Sequence, residues 1–362
     1  MPLSALHAAP APARPLDVYL AGVGTVGGAL LGQIARLKPG TLRVIGACSR
    51  RRSAVDLGGL EPADLALDAA PPDWPAILNR LTAHAAGTPT VFVDATGSPD
   101  VADLVEPLLA AGVSVVTPSK LANTRSQAAW DRLHALSASG AVHYRYETTA
   151  GAGLPIVRLL EDLVATGDRV RSVRGVLSGT MTYLFGQIER GATFSEAARA
   201  AQEQGYAEPD VRDDLSGEDV ARKLLILARA AGLRAERADI EVESLVPPEV
   251  ADVPATLVTD ALAAADGAWA ERVAQAEAAG RRLRYVGEIR AEGDGARFRV
   301  GVSAVPTDSP LGRLGGADNL VEITTDRYAT SPVVVQGPGA GAEVTAAGVL
   351  ADVLAVARAV AA

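Results

Sequence analysis

The feature that most limits the fold of this chain is a glycine turn near its beginning. A short apolar strand is predicted over residues 16–20 and an apolar helix over residues 29–37. Between them stand three glycines with the spacing G-x-G-x-x-G: Gly22, Gly24 and Gly27. The first permits a tight turn, the second admits a pyrophosphate, and the third lets the helix pack on the strand. The turn therefore predicts a Rossmann domain that binds a dinucleotide.

The residues beside this turn predict which dinucleotide is bound. The helix N-terminus is expected to supply amide donors for the phosphates, and Thr25 and Val26 in the turn are candidate cofactor contacts. A second strand, residues 43–48, runs into a serine and three arginines, where an NAD enzyme usually carries an acid for the ribose 2′-hydroxyl: Ser49, Arg50, Arg51 and Arg52. Guanidinium groups fit a phosphate, so the sequence favours NADP while NAD remains possible. The alternative interpretation is a solvated basic turn.

Composition excludes several classes of protein. The 362 residues are enough for two domains, and the net charge of −9 argues against a nucleic-acid partner. The single cysteine excludes a disulfide framework and a Cys-based zinc site. We find no apolar run of transmembrane length and no signal peptide, so we expect a cytoplasmic protein without a membrane partner. Residues 1–15 are predicted to be a disordered leader.

Two further strand ends extend the predicted dinucleotide site. Buried strands are predicted over residues 90–94 and 114–117, and open α/β sheets bind ligands at such carboxyl ends. Thr96 and Ser98 follow the first strand and are expected to line the nicotinamide side. Lys120 follows the second and would point a cation at the same crevice; a surface lysine at a loop end is the alternative.

The pattern changes after residue 155. Residues 170–177, 283–290, 297–305 and 320–325 alternate like strands of an antiparallel or mixed sheet, one face of which could pair with a second subunit. A second glycine loop, over residues 337–345, then opens a long apolar helix that we expect to return to the first domain. The predicted fold is α/β, with a Rossmann domain (16–147 and 337–362) and an α+β catalytic and dimerisation domain (148–336).

A stretch rich in charged side chains runs from residue 205 to residue 229. We predict an acidic loop, then a helix with Ser216 as N-cap and Asp219 in the reciprocal capping position. Asp219 and Lys223 share one face of that helix. Carboxylates can hold an ammonium, and a partly buried lysine can exchange a proton, which suits a small zwitterionic substrate. An ordinary capped surface helix with an ion pair is the competing interpretation.

Taken together, the motifs resemble the homoserine dehydrogenase family over nearly the whole chain from about residue 16. The most specific match is Gly-Tyr-Ala-Glu-Pro-Asp at residues 205–210 followed by Asp-Asp-Leu-Ser-Gly-Glu-Asp-Val-Ala-Arg-Lys at 213–223. Supporting matches lie at residues 22–27, 94–98, 117–120, 147–155, 178–180 and 337–345. The resemblance implies reversible NAD(P)-dependent conversion of L-homoserine to L-aspartate 4-semialdehyde, a step toward threonine, methionine and isoleucine.

The resemblance also implies residue roles. Lys223 would be the acid/base, Asp219 would orient it, and Lys120 would place a second cation at the reacting carbonyl and nicotinamide. Glu208 would bind the substrate amino group, with Asp214 nearby. Thr96 and Gly341 would contact the cofactor. A monovalent cation, usually sodium in the family, would be bound at four matching positions, largely through backbone oxygens: Glu147, Ala150, Ala152 and Leu154. The residues alone allow either a cation site or a plain hinge in that segment.

Further expectations concern regulation, assembly and other functions. The chain stops at Ala362, so we expect no threonine inhibition through a C-terminal ACT domain. We expect a homodimer or a homotetramer. An aspartate-semialdehyde dehydrogenase would need a nucleophilic cysteine in its catalytic domain, and Cys48 stands at a Rossmann strand end instead. Another Rossmann oxidoreductase acting on a small amino acid, or a non-catalytic NADP-binding regulator, remains the alternative.

Overall fold

The computed structural model describes residues 15–63, 65–293 and 295–361, which form two compact units. The first unit contains the described residues up to Gly153 and those from Gly341 onward. The second unit is Leu154–Ala340. Apart from Pro15, the predicted leader at residues 1–15 lies outside the described residues.

Strands and helices alternate in the first unit and are mixed in the second. The strands are β1 (Leu16–Ala21), β2 (Leu42–Cys48), β3 (Ser53–Leu60), β4 (Thr90–Asp94), β5 (Ser114–Val116), β6 (Tyr144–Arg145), β7 (Val170–Val176), β8 (Ile240–Val242), β9 (Arg281–Glu292), β10 (Gly295–Pro306), β11 (Asp318–Thr325) and β12 (Val333–Pro338). The helices are α1 (Thr25–Ala35), α2 (Trp74–Ala85), α3 (Pro99–Ala102), α4 (Val105–Ala110), α5 (Gln127–Ser137), α6 (Val157–Ala165), α7 (Gly179–Glu189), α8 (Phe194–Glu203), α9 (Val211–Leu215), α10 (Glu218–Ala230), α11 (Val258–Ala261), α12 (Asp266–Ala278), α13 (Pro310–Arg313) and α14 (Ala342–Ala361).

The sheet of the first unit confirms the Rossmann prediction. Within the described residues its order is β3-β2-β1-β4-β5-β6, and every neighbouring pair is parallel except β2 with β3. The strands β1, β2 and β4 contribute fully buried apolar residues to one core with α1. Since β1 pairs with β2 on one side and β4 on the other, the chain reverses its direction of travel across the sheet there. Such a switch point leaves a crevice at the carboxyl ends of the strands.

The first unit differs from its prediction at one edge of the sheet. The strand β3 is not among the predicted strands, yet it forms an edge hairpin with β2, closed where Ser49 N–H donates to the Arg52 carbonyl (2.7 Å). Glycine and aspartate within β3 hid its strand character. Between β4 and β5 the chain forms two short helices, α3 and α4.

The long helix α14 belongs to the first unit, as the fold prediction required. Among the described helices it is the one long and apolar enough to cross a membrane by length and composition. The expectation that no apolar run reaches that length was therefore wrong. Its buried residues join the core of α1 and β1, and Gln33 Nε2 donates to the backbone carbonyl (2.9 Å) and the carboxylate (3.0 Å) of Glu343. Packing inside the unit accounts for its apolar composition.

The second unit contains the predicted mixed sheet. In the described part of the chain its order is β12-β11-β7-β9-β10-β8, antiparallel except for β8 with β10. The short strand β8 was not predicted. Gly287 on β9 lets α10 lie close, since a Cβ there would sit 3.2 Å from a Leu224 methyl. This face of the sheet thereby supports the helix that carries Lys223.

The acidic stretch before α10 differs from its prediction. Part of the predicted loop is the helix α9, and the N-cap of α10 is Gly217, not Ser216. Gly217 has φ +75°, and a Cβ there would lie 1.9 Å from the Tyr285 hydroxyl, so the break between the two helices requires glycine. Ser216 is the C-cap of α9, and its hydroxyl accepts a hydrogen bond from Glu218 N–H (3.2 Å). Asp219 makes an ion pair with Lys223 in place of the predicted reciprocal cap.

Candidate functional site

The glycine turn of the first unit has the geometry that its spacing predicted. Gly22 has φ +100°, and a Cβ there would lie 2.5 Å from the Ala95 carbonyl oxygen. At Gly27 a Cβ would lie 1.9 Å from the Gly22 oxygen. Any residue other than glycine at either position would therefore require the backbone to shift. The amides of Gly22 and Val23 donate to the Cys48 carbonyl (both 2.9 Å), which fixes the turn on β2.

Gly24 differs from the other two glycines because a Cβ there would meet no atom within 4 Å. It is the N-cap of α1, and no side chain caps that helix end. The helix begins at Thr25, four residues earlier than predicted, so Thr25 and Val26 lie in its first turn. Open space next to uncapped helix amides suits a phosphate group. The residues present therefore fit a dinucleotide pyrophosphate.

A cavity of about 610 Å³ opens beside this turn. Its lining includes Gly22, Gly24, Ser49, Arg50, Thr96 and Ser98 of the predicted cofactor residues, together with Cys48, Pro71, Pro72, Trp74 and Asp100 among others. Arg51 is exposed and does not line the cavity, while Arg52 donates to the Leu67 carbonyl. The structure thus separates three adjacent arginines that the sequence treated alike.

Asp94 at the end of β4 holds the loop that carries Thr96. Its Oδ1 accepts from Thr96 N–H (2.9 Å) and from the Thr96 hydroxyl (2.6 Å), while Ser98 N–H donates to that hydroxyl (3.2 Å). The Thr96 hydroxyl therefore offers an acceptor lone pair, and not its proton, to a ligand. Burial, above all, raises the pKa of Asp94. Asp94 had no predicted role, because its hydrogen bonds to Thr96 form only in the folded loop.

Two other predicted cofactor residues also lie in the first unit. Lys120 is half-buried in the turn after β5, where its carbonyl accepts from Thr124 N–H (2.9 Å). Gly341 has φ +121° immediately before α14, and its carbonyl accepts from Thr345 N–H (2.9 Å). Their proposed contacts with a ligand stay predictions.

In the second unit, α10 places Lys223 between two oxygen acceptors. Its Nζ lies 2.8 Å from Asp219 Oδ2 and 2.8 Å from the Leu177 carbonyl oxygen at the end of β7. The Lys223 side chain is 14% exposed and that of Asp219 is 47% exposed. An ammonium has three N–H donors, so this arrangement leaves one for a substrate oxygen. Leu177 had no predicted role, since it precedes Lys223 by 46 residues.

Asp214 organises the residues that precede α10. Its Oδ1 accepts from the Thr180 hydroxyl (2.8 Å) and its Oδ2 accepts from Glu208 N–H (2.8 Å). The Thr180 hydroxyl also lies 2.6 Å from the Tyr206 carbonyl, so one proton serves two acceptors. Burial, followed by the nearby charges of Asp219 and Asp213, raises the pKa of Asp214. Asp214 therefore fixes the backbone at Glu208, whose own carboxylate is left exposed at the surface.

Two tyrosines next to these carboxylates were missed by the sequence analysis. Tyr206 stacks on Tyr183 of α7 with ring centroids 4.5 Å apart, and Tyr206 is 45% exposed. The pair holds the segment before Glu208 against α7. An aromatic residue inside the Gly-Tyr-Ala-Glu-Pro-Asp motif was the available signal, but its stacking partner is 23 positions earlier in the sequence.

The predicted cation ligands are divided between the two units. Glu147, Ala150 and Ala152 belong to the first, and Leu154 begins the second. Ala152 has φ +51°, a strained conformation for a residue with a side chain. Within the described residues no group of three or more His, Cys, Asp or Glu could hold a metal ion. A site built of backbone oxygens would not meet that criterion, so the cation site stays a prediction.

The chain matches two family models. Residues 155–354 match the model described as homoserine dehydrogenase, and residues 22–147 match the model described as homoserine dehydrogenase, NAD binding domain. These matches cover most of both units and include the glycine turn, Lys120 and the carboxylate stretch before α10.

Curated relatives show the same similarity. The chain is 40% identical over 351 residues to bifunctional aspartokinase/homoserine dehydrogenase 2, chloroplastic, of Zea mays, covering 94% of this chain and 38% of that protein. It is 37% identical over 368 residues to the homoserine dehydrogenase of Emericella nidulans, covering 94% of this chain and 98% of that protein. The chain thus spans less than half the length of the bifunctional relatives and nearly the full length of the fungal one.

Solved structures have the same fold. A Candida auris protein of unknown function superposes with a TM-score of 0.88 at 35% identity, covering 95% of this chain and 99% of that one. A hyperthermophilic archaeal homoserine dehydrogenase in complex with NADPH has a TM-score of 0.69 at 21% identity, covering 94% and 96%. The second similarity concerns the fold alone.

Proposed function

Because the chain belongs to the homoserine dehydrogenase family, we propose that it interconverts L-homoserine and L-aspartate 4-semialdehyde with NAD(P). The observation that carries the proposal is the position of Lys223, held by Asp219 and the Leu177 carbonyl with one N–H left for a substrate oxygen. A small alcohol beside such an amine can exchange its proton while its carbon is oxidised. When bound, NAD(P)⁺ supplies the hydride acceptor.

Four charged residues of the second unit then have distinct roles. In the oxidation direction Lys223 acts as the neutral amine, whose nitrogen lone pair accepts the hydroxyl proton of homoserine. In the reverse direction the resulting ammonium donates that proton to the carbonyl oxygen and stabilises the negative charge that builds on it. Asp219 orients the lysine. Glu208, whose carboxylate is exposed, binds the substrate ammonium. Asp214 positions Glu208 through its backbone amide (2.8 Å) and is a positioning residue in this proposal.

In the first unit, the cofactor is proposed to be NADP, with NAD as an alternative. Ser49 and Arg50 line the cavity where the second strand ends, and neither supplies the acid that would favour a free ribose 2′-hydroxyl. Arg50 would bind the 2′-phosphate with paired hydrogen bonds. Lys120 would act at the carbonyl and nicotinamide, with Thr96, Ser98 and Gly341 contacting the cofactor.

Assembly, cation and location complete the proposal. The face of the second sheet with Arg174, Glu288 and Arg290 is partly accessible and would pair with a second copy, in a homodimer or homotetramer. A monovalent cation, most simply sodium, would bind the backbone oxygens of residues 147–154. The protein would act in the cytoplasm.

The test is steady-state turnover of the purified protein. We expect NADPH oxidation with aspartate semialdehyde and NADP⁺ reduction with L-homoserine, and no turnover with L-serine, which is one carbon shorter. Cofactor binding without turnover of either substrate would support the non-catalytic regulator instead. Turnover of a different small amino acid in preference to homoserine would support another oxidoreductase.

A further inference from the structure

The cavity of the first unit has an apolar wall that no step above uses. Pro71, Pro72 and Trp74 line it together with Ser49 and Arg50. We propose that this wall is the adenine subsite and that Trp74 is the residue on which the base stacks. The inference rests on the proposed dinucleotide function and deepens it, because it assigns one ring of the cofactor to one side chain.

The position of Trp74 is fixed by the start of α2. Asp73 caps that helix by accepting from Ala76 N–H (3.1 Å), and Pro75 stands within its first turn. The indole packs edge-on against Phe92 of β4, with ring centroids 6.5 Å apart and planes at 69°. Phe92 in turn stacks on Tyr19 at 5.4 Å, and both of those residues are fully buried. A half-buried indole is therefore held on a rigid support beside open space.

The covalent structure of NADP decides which ring belongs there. Its 2′-phosphate is attached to the adenosine ribose, so the base next to the 2′-phosphate site must be adenine. Arg50 and Ser49 line the same cavity as Trp74, which places the apolar wall beside the proposed phosphate ligands. A purine has two apolar faces and a polar edge, and aromatic side chains bind such faces by stacking. Pro71 and Pro72 add apolar surface with little conformational freedom to lose.

Fluorescence of the tryptophan itself provides a direct test. The chain has three tryptophans, and the double variant Trp130→Phe/Trp269→Phe leaves Trp74 as the sole indole. Trp130 is buried beside His134 and Tyr146, and Trp269 stacks on Phe194 in the second unit, so neither lines the cavity. Titration with 2′,5′-ADP, which has no nicotinamide, should quench Trp74 strongly. Binding detected by calorimetry without a change in that emission would overturn the assignment.

Dissociation constants of two nucleotides distinguish the contribution of the adenine from that of the 2′-phosphate. Trp74→Ala should raise the Kd of 2′,5′-ADP and of 5′-ADP by the same factor, about tenfold. Arg50→Ala should raise the Kd of 2′,5′-ADP alone. Trp74→Phe should recover part of the loss. Unchanged affinity for both nucleotides in a folded Trp74→Ala protein would refute the subsite.

Failure of the inference and failure of the proposed function are distinguishable. If the wild-type protein binds 2′,5′-ADP but Trp74 has no effect, only the subsite is wrong. If the wild-type protein binds no adenine nucleotide, the subsite and the dinucleotide proposal fall together. Homoserine turnover, measured separately, tests the chemistry of the second unit. Should Trp74→Ala not fold, the quenching titration on the intact indole still gives a decisive result.

Discussion

The two units prepare for a ligand in opposite ways. The first offers backbone amides and empty space: glycines where a side chain would collide, and Gly24 where it would meet nothing. The second offers charged side chains already paired with each other, as in Lys223 with Asp219 and Asp214 with Thr180. In the proposed function, a substrate therefore meets side chains that are already held in place by other side chains, whereas a cofactor meets uncapped backbone donors.

This difference leads to separable effects of mutation. Changes in the second unit should alter chemistry and leave cofactor binding intact. Changes in the glycine turn should alter cofactor binding or folding and leave the charged network intact. A variant whose effect appeared in the other unit would contradict this separation.

Lys223→Ala should have the largest effect. Loss of a general acid/base typically costs about 10²–10⁴-fold in rate, so kcat with homoserine should fall within that range. The Kd of NADPH should stay within about twofold, because the cofactor is assigned to the other unit. Stopped-flow rates and fluorescence titration measure the two quantities.

Its matched control is the neighbouring residue on α10. Arg222 is exposed and pairs with Glu218 (3.3 Å), so Arg222→Ala should leave kcat within about twofold. A comparable loss of rate in both variants would mean that helix damage, and not the amine, explains the result.

Two glycine variants should distinguish a glycine that is needed for ligand binding from one that is needed for folding. Gly24 has φ −104° and ψ −152°, at the margin of the extended region, and a Cβ there would meet no atom within 4 Å. Gly24→Ala should therefore lower the melting temperature by only about 2–4 °C yet raise the Kd of NADPH about tenfold or more. Gly27→Ala should instead destabilise the protein by about 3 kcal/mol, because its Cβ would overlap the Gly22 oxygen. Thermal unfolding and equilibrium binding are measured on each; the reverse pattern would contradict the assigned roles.

The adjacent arginines should differ although their sequence context is shared. Arg50→Ala should weaken NADP binding about tenfold and leave NAD binding unchanged, since a charge-assisted hydrogen bond to phosphate is lost. Arg51→Ala, outside the cavity, should change either affinity less than twofold. Equal effects of the two substitutions would indicate a diffuse basic surface without a defined phosphate contact.

The smallest effect should be the pH dependence of stability at Asp214. Since its pKa is raised on folding, the folded state binds more protons than the unfolded state from about pH 4 upward, and its contribution to stability falls as pH rises through that window. The free energy of unfolding of the wild type, relative to Asp214→Asn, should therefore decrease between pH 4 and pH 7 by about 1 kcal/mol or less. Urea titrations at several pH values measure it, and an increase would contradict the burial argument.

The two units also differ in how far the sequence predicted them. Glycine spacing specifies backbone geometry within a few residues, so the turn and its role followed from the sequence directly. The partners of the charged residues lie far away along the chain: Thr180 is 34 positions from Asp214, and Leu177 is 46 from Lys223. No local pattern encodes such pairs. The sequence placed Lys223 on a helix, but it did not predict the Leu177 carbonyl, the Thr180 hydroxyl or the Tyr183 ring that hold Lys223, Asp214 and Tyr206.

Local residue propensities also gave wrong secondary-structure predictions at glycines outside a recognised motif. Serine is favoured at helix N-caps, so the sequence predicts Ser216 as the N-cap of α10. The observed N-cap is Gly217, which has a left-handed conformation and lies so close to Tyr285 that only glycine fits. The strand β3 was missed because its glycines and aspartate disfavour strands in isolation. In both cases a neighbour distant in sequence, Tyr285 or β2, decides the local conformation.

The packing of α14 on α1 has a consequence for how the protein is made. Gln33 and Glu343 meet although 310 positions separate them, so the ribosome must deliver the whole second unit before the first can be completed. During that interval the part of α1 that packs on α14 has no cover, while the described strands of the second sheet all lie within Leu154–Ala340. In the nascent chain, the second unit should therefore fold before the first unit is complete. The early glycine turn would reach its final surroundings last, and a chaperone that binds exposed apolar helices would find its target there.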